Sequence, residues 1–348
     1  MFTFGVAASD PRLKFTIGGT IVGKQEGQFN SPSGMAFGSD CLFVVDRFNH
    51  RIQAFSLEDG SFISQIGSPG SNGGQFQRPY DVAIDTERSR IVVADVGNYR
   101  VQVLSLLDGS CVFEIDKCNY DAIEPLTVAI DHRRQRILMV DRYTDCVQVF
   151  SLIDGSFVFK FGGSGWRPGR LSRPGGLAVD HRLDRIVVVD GGNNRVQVFS
   201  SIDGSFEFEF GSAGTQPGMF ASPWGVCIDH QSRIIVADAV NARLQAFTAQ
   251  GHHISSLKLS IFVGNVAFDE HRGLIAVNRG NQVSVLGANQ WLPGTFVWQP
   301  DRHCYAPAAI KTVVRTITML RSLSGGTRHA DALSLIPNEL LFEIFSYL

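Results

Sequence analysis

The chain has 348 residues, of which 44% are hydrophobic, 18% charged and 10% aromatic, and 31 basic against 33 acidic residues give a formal net charge of −2. This balance excludes a whole-protein electrostatic attraction to nucleic acid, and the apolar fraction excludes a wholly disordered chain. Few charges together with 36 glycines and 26 phenylalanines favour a turn-rich β protein over a helical one.

Neither the cysteines nor the apolar runs indicate a secreted or membrane protein. The six cysteines are dispersed, without a Cys-x-x-Cys pair, which favours a reduced, cytoplasmic protein. No stretch approaches the ~20 apolar residues that a transmembrane helix needs. The N-terminus also lacks the basic start and apolar core of a signal peptide. We therefore expect no membrane partner.

Six segments of the chain repeat one another. Each is a short β-rich run that ends in Asp (Asn in the sixth), followed by a polar turn and a second β-rich run. They occupy residues 42–55, 91–104, 137–150, 186–199, 234–247 and 274–286. Their first Asp or Asn recurs every 40 to 49 residues, and each segment is preceded by another apolar run such as YDVAID or GGLAVD. After four of them, Asp-Gly-Ser opens a fourth run.

Four short strands per unit of nearly fifty residues predict an all-β fold, a six-bladed β-propeller. Such a unit cannot bury its own faces, so neighbouring units must cover them. The sixth unit lacks a clear fourth strand, and the run KFTIGG at residues 14–19 resembles the fourth strands of other units. We therefore predict that residues 13–18 close the ring as the outer strand of the last blade, with residues 295–298 as the alternative.

The repeated pattern GQF-x-x-P-x-G/D-V-A-I-D, followed by I-V-V-A-D-x-x-N-x-R-V-Q-V-F, resembles the NHL repeat. Asn49-His50-Arg51 stands at the position that names this repeat, and the resemblance covers residues 13–288. The third unit departs from the pattern with Thr144 and Cys146, and the sixth departs with Asn278. The resemblance is to the propeller of tripartite-motif proteins, without a preceding RING or B-box. It implies a recognition module rather than a stand-alone ligase.

The repeated polar residues predict structural roles. Asp46, Asp95, Asp190 and Asp238 each precede an Arg by five residues, a spacing that lets carboxylate and guanidinium meet across a tight turn. Catalytic groups are normally unique, whereas these recur with the fold. Recurrent histidines fall in the loops between first and second strands, where turn chemistry explains them better than metal ligation. We therefore predict no catalytic residues, no metal and no cofactor.

Unrepeated residues on one rim are better candidates for binding. The face that carries the turns between second and third strands and the loops leading into each blade has nine basic residues: Lys24, Arg47, Arg78, Lys117, Arg142, Arg167, Arg170, Arg173 and Arg279. Six acids oppose them: Glu26, Asp81, Asp116, Asp121, Glu124 and Asp145. The predicted partner-binding or RNA-binding residues are Arg47, Phe48, Arg78, Tyr80, Tyr99, Arg142, Tyr143, Arg173 and Trp224.

Two ligand classes remain open for this rim. Arginine and aromatic side chains are enriched in protein-binding hot spots. Cations interleaved with aromatic rings also suit single-stranded RNA, whose phosphates need positive charge and whose bases stack. The resemblance supports the RNA option, since tripartite-motif NHL propellers include RNA binders acting after transcription. We expect a protein target, with single-stranded RNA as the alternative.

The repeat stops after Leu286, and two further segments follow. Residues 289–332 form a linker with a predicted amphipathic helix at 306–323. Residues 333–348 resemble the start of an F-box, the module that docks the adaptor of cullin-type ubiquitin ligases; a chance match to an amphipathic helix is the alternative. The resemblance assigns adaptor contacts to Pro337, Glu339, Leu340, Leu341, Ile344, Phe345 and Leu348.

Overall fold

The computed structural model describes residues 12–118, 121–259, 262–288 and 291–292. Within them, six four-stranded antiparallel sheets confirm the predicted all-β, six-bladed propeller. The predicted linker helix, the F-box-like segment and residues 295–298 lie outside the described residues. The described part contains no helix long and apolar enough to cross a membrane.

Each blade has four strands in consecutive order, apart from the last. Strand β1 (Leu13–Gly18) precedes blade 1, which comprises β2 (Pro32–Phe37), β3 (Cys41–Asp46), β4 (Arg51–Ser56) and β5 (Phe62–Ile66). Blade 2 comprises β6 (Asp81–Asp85), β7 (Arg90–Asp95), β8 (Arg100–Ser105) and β9 (Cys111–Ile115). A small hairpin follows, with β10 (Lys117–Cys118) and β11 (Asp121–Ala122).

The remaining blades continue the same pattern. Blade 3 comprises β12 (Pro125–Asp131), β13 (Arg136–Asp141), β14 (Cys146–Ser151) and β15 (Phe157–Gly162). Blade 4 comprises β16 (Pro174–Asp180), β17 (Arg185–Asp190), β18 (Arg195–Ser200) and β19 (Phe206–Phe210). Blade 5 comprises β20 (Pro223–Ile228), β21 (Ile234–Asp238), β22 (Arg243–Phe247) and β23 (His253–Lys258). Blade 6 comprises β24 (Val266–Asp269), β25 (Leu274–Arg279), β26 (Gln282–Gly287) and β1.

The hydrophobic core lies between the blades. The second strands are buried on both faces, because each face is covered by an adjacent blade, and this explains their continuous β-branched runs. In the cluster between blades 1 and 2, Val45 and Ile52 pack with Val82 and Ile91. Phenylalanines in the loops leading into three blades fill the same layer: Phe29, Phe76 and Phe220 are fully buried.

The N-terminal strand closes the ring. Strand β1 pairs antiparallel with β26, with Ile17 opposite Val283 and Leu13 opposite Leu286. Ile17 is buried in the cluster that joins blade 6 to blade 1, together with Phe29 and Met35. Pairing the first strand with the last sheet leaves no interruption between first and last blades and fixes the positions of all six inner strands.

Candidate binding site on the upper face

The face that carries the turns between second and third strands is called the upper face, and the opposite one the lower face. Three of these turns are short 3-10 segments, Arg47–Asn49, Val96–Asn98 and Gly191–Asn193. Beneath the first turn, the buried Asp46 carboxylate accepts hydrogen bonds from Arg51 Nε at 2.8 Å and from the Asn49 amide. Gln53 Nε2 also donates to it, at 3.2 Å. One carboxylate therefore organises the turn and both flanking strands.

The same hub recurs around the ring and confirms that the repeated Asp and Arg meet across the turn. The corresponding Arg–Asp distances are 3.0 Å for Arg100–Asp95, 2.7 Å for Arg195–Asp190 and 2.8 Å for Arg243–Asp238. The sequence analysis gave no role to the glutamine of the RVQVF run. In these blades it donates to the same carboxylate, from Gln102, Gln197 and Gln245. Its constant spacing of seven residues from the Asp was the available signal.

Blade 3 builds its hub without arginine. Thr144 Oγ1 and Gln148 Nε2 each donate to Asp141 Oδ2 at 2.7 Å. The outer strand of blade 3 also differs from those of blades 2 and 4. Lys160 pairs with Gln148 at the position that Glu114 and Glu209 occupy in blades 2 and 4. In those blades the acid accepts a hydrogen bond from the hub arginine at 2.8 Å. In blade 3, Cys146 therefore replaces the hub arginine and Lys160 replaces the glutamate that would pair with it.

Four aromatic and basic side chains of the predicted rim form one cluster at the centre of the upper face. The Arg47 guanidinium carbon lies 5.0 Å from the Phe48 ring centroid and 4.9 Å from that of Tyr80. Tyr80 in turn contacts Trp224 edge-on, with ring centroids 6.2 Å apart. Arg47, Phe48, Tyr80 and Trp224, from blades 1, 2 and 5, are called the central cluster. The ring closure brings these residues together, although up to 177 positions separate them in the sequence.

The electrostatics of the central cluster leave one cation without an anionic partner. Nε of Arg47 is buried, and no described residue accepts a hydrogen bond from it. Burial raises the pKa of Tyr80 to about 12, against the opposing influence of the neighbouring Arg47 and Arg142 guanidinium groups. Tyr80 therefore stays neutral, and the positive charge of Arg47 is held by stacking rather than by a carboxylate.

The other predicted rim residues are distributed around this cluster. Arg142 is exposed beside it, and Tyr143 and Tyr99 are 80% and 59% exposed. Arg78 and Arg173 belong to a different arrangement, because their backbone N–H groups donate to the preceding blade, to His50 Nδ1 at 3.1 Å and to Asp145 Oδ1 at 3.0 Å. Their side chains are exposed, and no described contact joins them to the central cluster.

Two side chains counted on the rim are not on the surface. Arg279 is 4% exposed and donates to Ser284 within its own blade. Asp81 is 7% exposed and lies below the cluster, in an axial cavity of about 70 Å³ lined by the first strands of the six blades. The rim prediction was wrong for Arg279 and Asp81 for the same physical reason. The pleat of the strand decides whether a side chain at a strand end points along the axis or into the sheet, and the sequence pattern did not resolve this.

Asp81 is the one carboxylate that lines this cavity among the described residues. Its Oδ2 accepts a hydrogen bond from Val128 N at 3.1 Å, and Oδ1 lies 3.4 Å from the Asn265 amide nitrogen. Blades 1, 4 and 5 have glycine at the equivalent position (Gly34, Gly176 and Gly225), and a Cβ on Gly34 would lie 2.1 Å from Asp81 Oδ1. Burial raises the pKa of Asp81 to about 7. The sequence pattern placed Asp81 among the acids of the rim and gave it no separate role, because a single Asp resembles the many structural ones.

On the lower face of blades 2 to 6, the Asp at the end of the first strand caps the following turn, in agreement with its predicted structural role. Asp131, for example, accepts from Arg134 N at 3.0 Å, and Asp229 accepts from Gln231 N at 2.8 Å. The recurrent His132, His181 and His230 lie in these turns.

Comparison with known families and proteins agrees with the observed fold. A family profile described as a 6-bladed beta-propeller matches residues 22–124, and the profile of the NHL repeat matches residues 171–199 and 220–247. The chain is also 39% identical over 74 residues to "Protein brain tumor" of Drosophila melanogaster. That segment is 21% of this chain and spans only 7% of the Drosophila protein.

Solved structures of low sequence identity share the fold. A gluconolactonase from Xanthomonas campestris superposes with a TM-score of 0.61 at 16% identity, covering 75% of this chain and 87% of the other. A Bacteroides thetaiotaomicron protein of unknown function gives 0.61 at 17% identity, covering 78% and 73%. Sequence identities this low support a shared fold but not a shared activity. The repeat profile, the blade pairing and the recurrent Asp–Arg–Asn–Gln hub together show that this chain folds as a six-bladed β-propeller that contains NHL repeats.

Proposed function

We propose that the protein is a non-catalytic recognition module that binds a protein target through the central cluster of its upper face. NHL propellers are protein-binding modules in general, and the central cluster supplies the specific surface here. The observation that carries the proposal is the Arg47 guanidinium, which packs against the Phe48 and Tyr80 rings and whose buried Nε has no acceptor among the described residues.

The chemistry of the central cluster suits a protein hot spot. Stacking on two rings fixes the guanidinium plane before binding, so little side-chain entropy is lost when a partner contacts it. Tyrosine, tryptophan and arginine are the residues most enriched among hot spots, which lie near the centre of an interface. The aromatic bodies of Tyr80 and Trp224 offer apolar area beside the charge, while their polar atoms give direction.

Alanine variants of the central cluster test the proposal. Arg47→Ala and Trp224→Ala should each weaken binding of a purified partner, identified by cross-linking to the wild-type protein, by at least about 2 kcal/mol. Arg182→Ala, an exposed arginine on the lower face, is the matched control and should bind as the wild type does. Arg47→Lys should resemble Arg47→Ala, because ammonium lacks the planar fork. Partners retained equally by all four proteins would contradict the proposal.

We further propose that residues 333–348 link the recognition module to a ubiquitin ligase. The F-box-like segment 333–348 would dock the adaptor of a cullin-type ligase, and the propeller would then select the substrate for ubiquitination. Co-purification of the full chain with a purified F-box-binding adaptor should vanish when residues 333–348 are deleted. Equal recovery of the adaptor without these residues would reject the receptor role while leaving the recognition role intact.

Single-stranded RNA is the second candidate ligand, and the exposed aromatic residues of the rim favour it. Tyr143 is 80% exposed next to Arg142, and Trp166 is 73% exposed with the Arg167 guanidinium 5.7 Å from its ring. Such pairs can stack bases and contact phosphates. RNA recognition predicts an affinity that falls steeply with salt and drops in Tyr143→Ala and Arg142→Ala. The absence of binding to an RNA pool at low salt would exclude it.

A further inference from the structure

A cluster of one histidine and two carboxylates on the lower face does not follow from the repeat. We propose that Asp85, Glu87 and His132, at the boundary of blades 2 and 3, form a binding site for a divalent zinc-class cation. This inference is independent of the upper face and of the proposed function.

The potential ligand atoms are already close together. One Nδ1 or Nε2 atom of His132 and one carboxylate oxygen from each acid lie within 4.8 Å of one another. His132 Nδ1 is 3.8 Å from Asp85 Oδ1. Ligands of a tetrahedral zinc ion at its usual bond lengths of about 2.0–2.2 Å stand roughly 3.3–3.5 Å apart. The His132–Asp85 pair is therefore within about 0.5 Å of that spacing, while the widest pair, at up to 4.8 Å, would have to close by about 1.4 Å through side-chain rotation.

His132 brings an unused lone pair to the cluster. Its Nδ1 is buried and has no hydrogen-bond partner among the described residues, and the distance to Asp85 is too long for a hydrogen bond. A buried polar atom without a partner is costly, and a cation between the ring and the carboxylate would remove that cost.

The boundary between blades 3 and 4 provides a matched comparison. There His181 Nδ1 lies 3.6 Å from Asp131 Oδ1, which repeats the first pair. The residue two positions after the aspartate is Arg133, where blade 2 has Glu87. The Asp–His pair alone is therefore part of the repeated fold, whereas the third carboxylate occurs at one of the two boundaries. Among the described residues, the Asp85–His132 boundary is the one that brings three potential ligands together, of which Asp85 is fully buried and Glu87 remains 62% exposed.

Arg88 competes with the ion for the same two carboxylates. Its Nη1 lies 3.3 Å from Asp85 Oδ2 and 3.8 Å from Glu87 Oε2. The Arg88 side chain is 30% exposed, so it can turn towards solvent when a cation enters. One imidazole with two carboxylates favours zinc over calcium or magnesium, which take all-oxygen ligand sets. The competition predicts that removing the Arg88 guanidinium strengthens cation binding.

Zinc titration by calorimetry of the full chain, with ZnCl2 as the probe and CaCl2 as the comparison, tests the site. The wild type should bind one zinc ion at this site. Glu87→Gln and His132→Asn should each weaken binding by at least about tenfold, since even outer-sphere changes cost that much. Arg88→Ala should bind more tightly than the wild type. At the matched boundary, His181→Asn and Arg134→Ala should leave the zinc affinity unchanged.

Three results would overturn the inference. They are the absence of saturable zinc binding by both the wild type and Arg88→Ala, an affinity unaffected by Glu87→Gln, or equal losses in His132→Asn and His181→Asn. Calcium binding as tight as zinc binding would also contradict the assigned ligand class. Should His132→Asn fail to fold, the substitutions at the more exposed Glu87 and Arg88 still decide the question.

Discussion

The Asp81 carboxylate of blade 2 accepts a hydrogen bond from the backbone N–H of Val128 in blade 3, with Oδ2 and N 3.1 Å apart. This bond joins two inner strands across a blade boundary, beside the axial cavity. No described lysine, arginine or histidine pairs with the carboxylate. The ionised form of Asp81 is therefore disfavoured in the folded protein.

We expect Asp81 to make the stability depend on pH between its ordinary pKa of 3.8 and its folded value of about 7. Because the folded pKa is the higher one, the folded state binds the proton more tightly. Its contribution to stability is complete below pH 3.8 and is lost as the pH rises through about 7. At pH 8, Asp81→Asn should therefore be more stable than the wild type, by on the order of a few kcal/mol. Near pH 4 the two proteins should differ little in stability. Urea unfolding at both pH values measures this, and a pH-independent difference would contradict it.

Removing a buried hub carboxylate should lower the free energy of unfolding far more than removing an exposed carboxylate. Asp190→Ala removes the buried carboxylate that Asn193, Arg195 and Gln197 share, so that Arg195 keeps only Glu209 as an anionic partner. We expect a loss of about 3–5 kcal/mol in the free energy of unfolding, because several buried donors lose a charged acceptor. The control is Asp203→Ala in the exposed turn of the same blade, where Asp203 accepts from Ser205 N, and its cost should stay below about 1 kcal/mol. Denaturant midpoints that fall equally in both variants would refute a special role for the hub.

Blade 3 allows the hub to be restored by two substitutions. Cys146→Arg alone places a guanidinium near Lys160 and should destabilise the protein. Adding Lys160→Glu recreates the arrangement of Arg100 and Glu114 in blade 2. A double-mutant cycle by thermal unfolding should give a favourable coupling of about 1 kcal/mol or more. A coupling near zero would show that the two positions vary independently.

Ring closure should depend on the inward-facing side chains of β1. Ile17→Ala removes buried contacts between blades 6 and 1 and should cost about 2–5 kcal/mol. Thr16→Ala, on the exposed side of the same strand, provides the control and should have little effect. Equal unfolding midpoints for the two variants would mean that the strand contributes little to closure.

The site was only partly predictable from the sequence. The repeat predicted the blades, the hubs and the rim as a set of candidates, because side-chain type and spacing decide which residues face a turn. It did not distinguish Arg47, stacked at the centre, from Arg279, buried in blade 6. It also placed Asp81 among the rim acids and gave no role to the carboxylate of Glu87, since each resembles the surrounding structural acids when read along the chain.

The opening composition, rich in glycine and phenylalanine and nearly neutral, follows from the repeat. Glycines serve the turns, phenylalanines fill the layers between blades, and many acids belong to the fold. The sequence alone therefore determined the architecture, because period and hydrophobic pattern are local properties repeated six times. Only the tertiary structure decided which unrepeated residues meet. The central cluster and the Asp85–Glu87–His132 group each join different blades, and these distances depend on how the blades pack around the axis rather than on spacing along the chain.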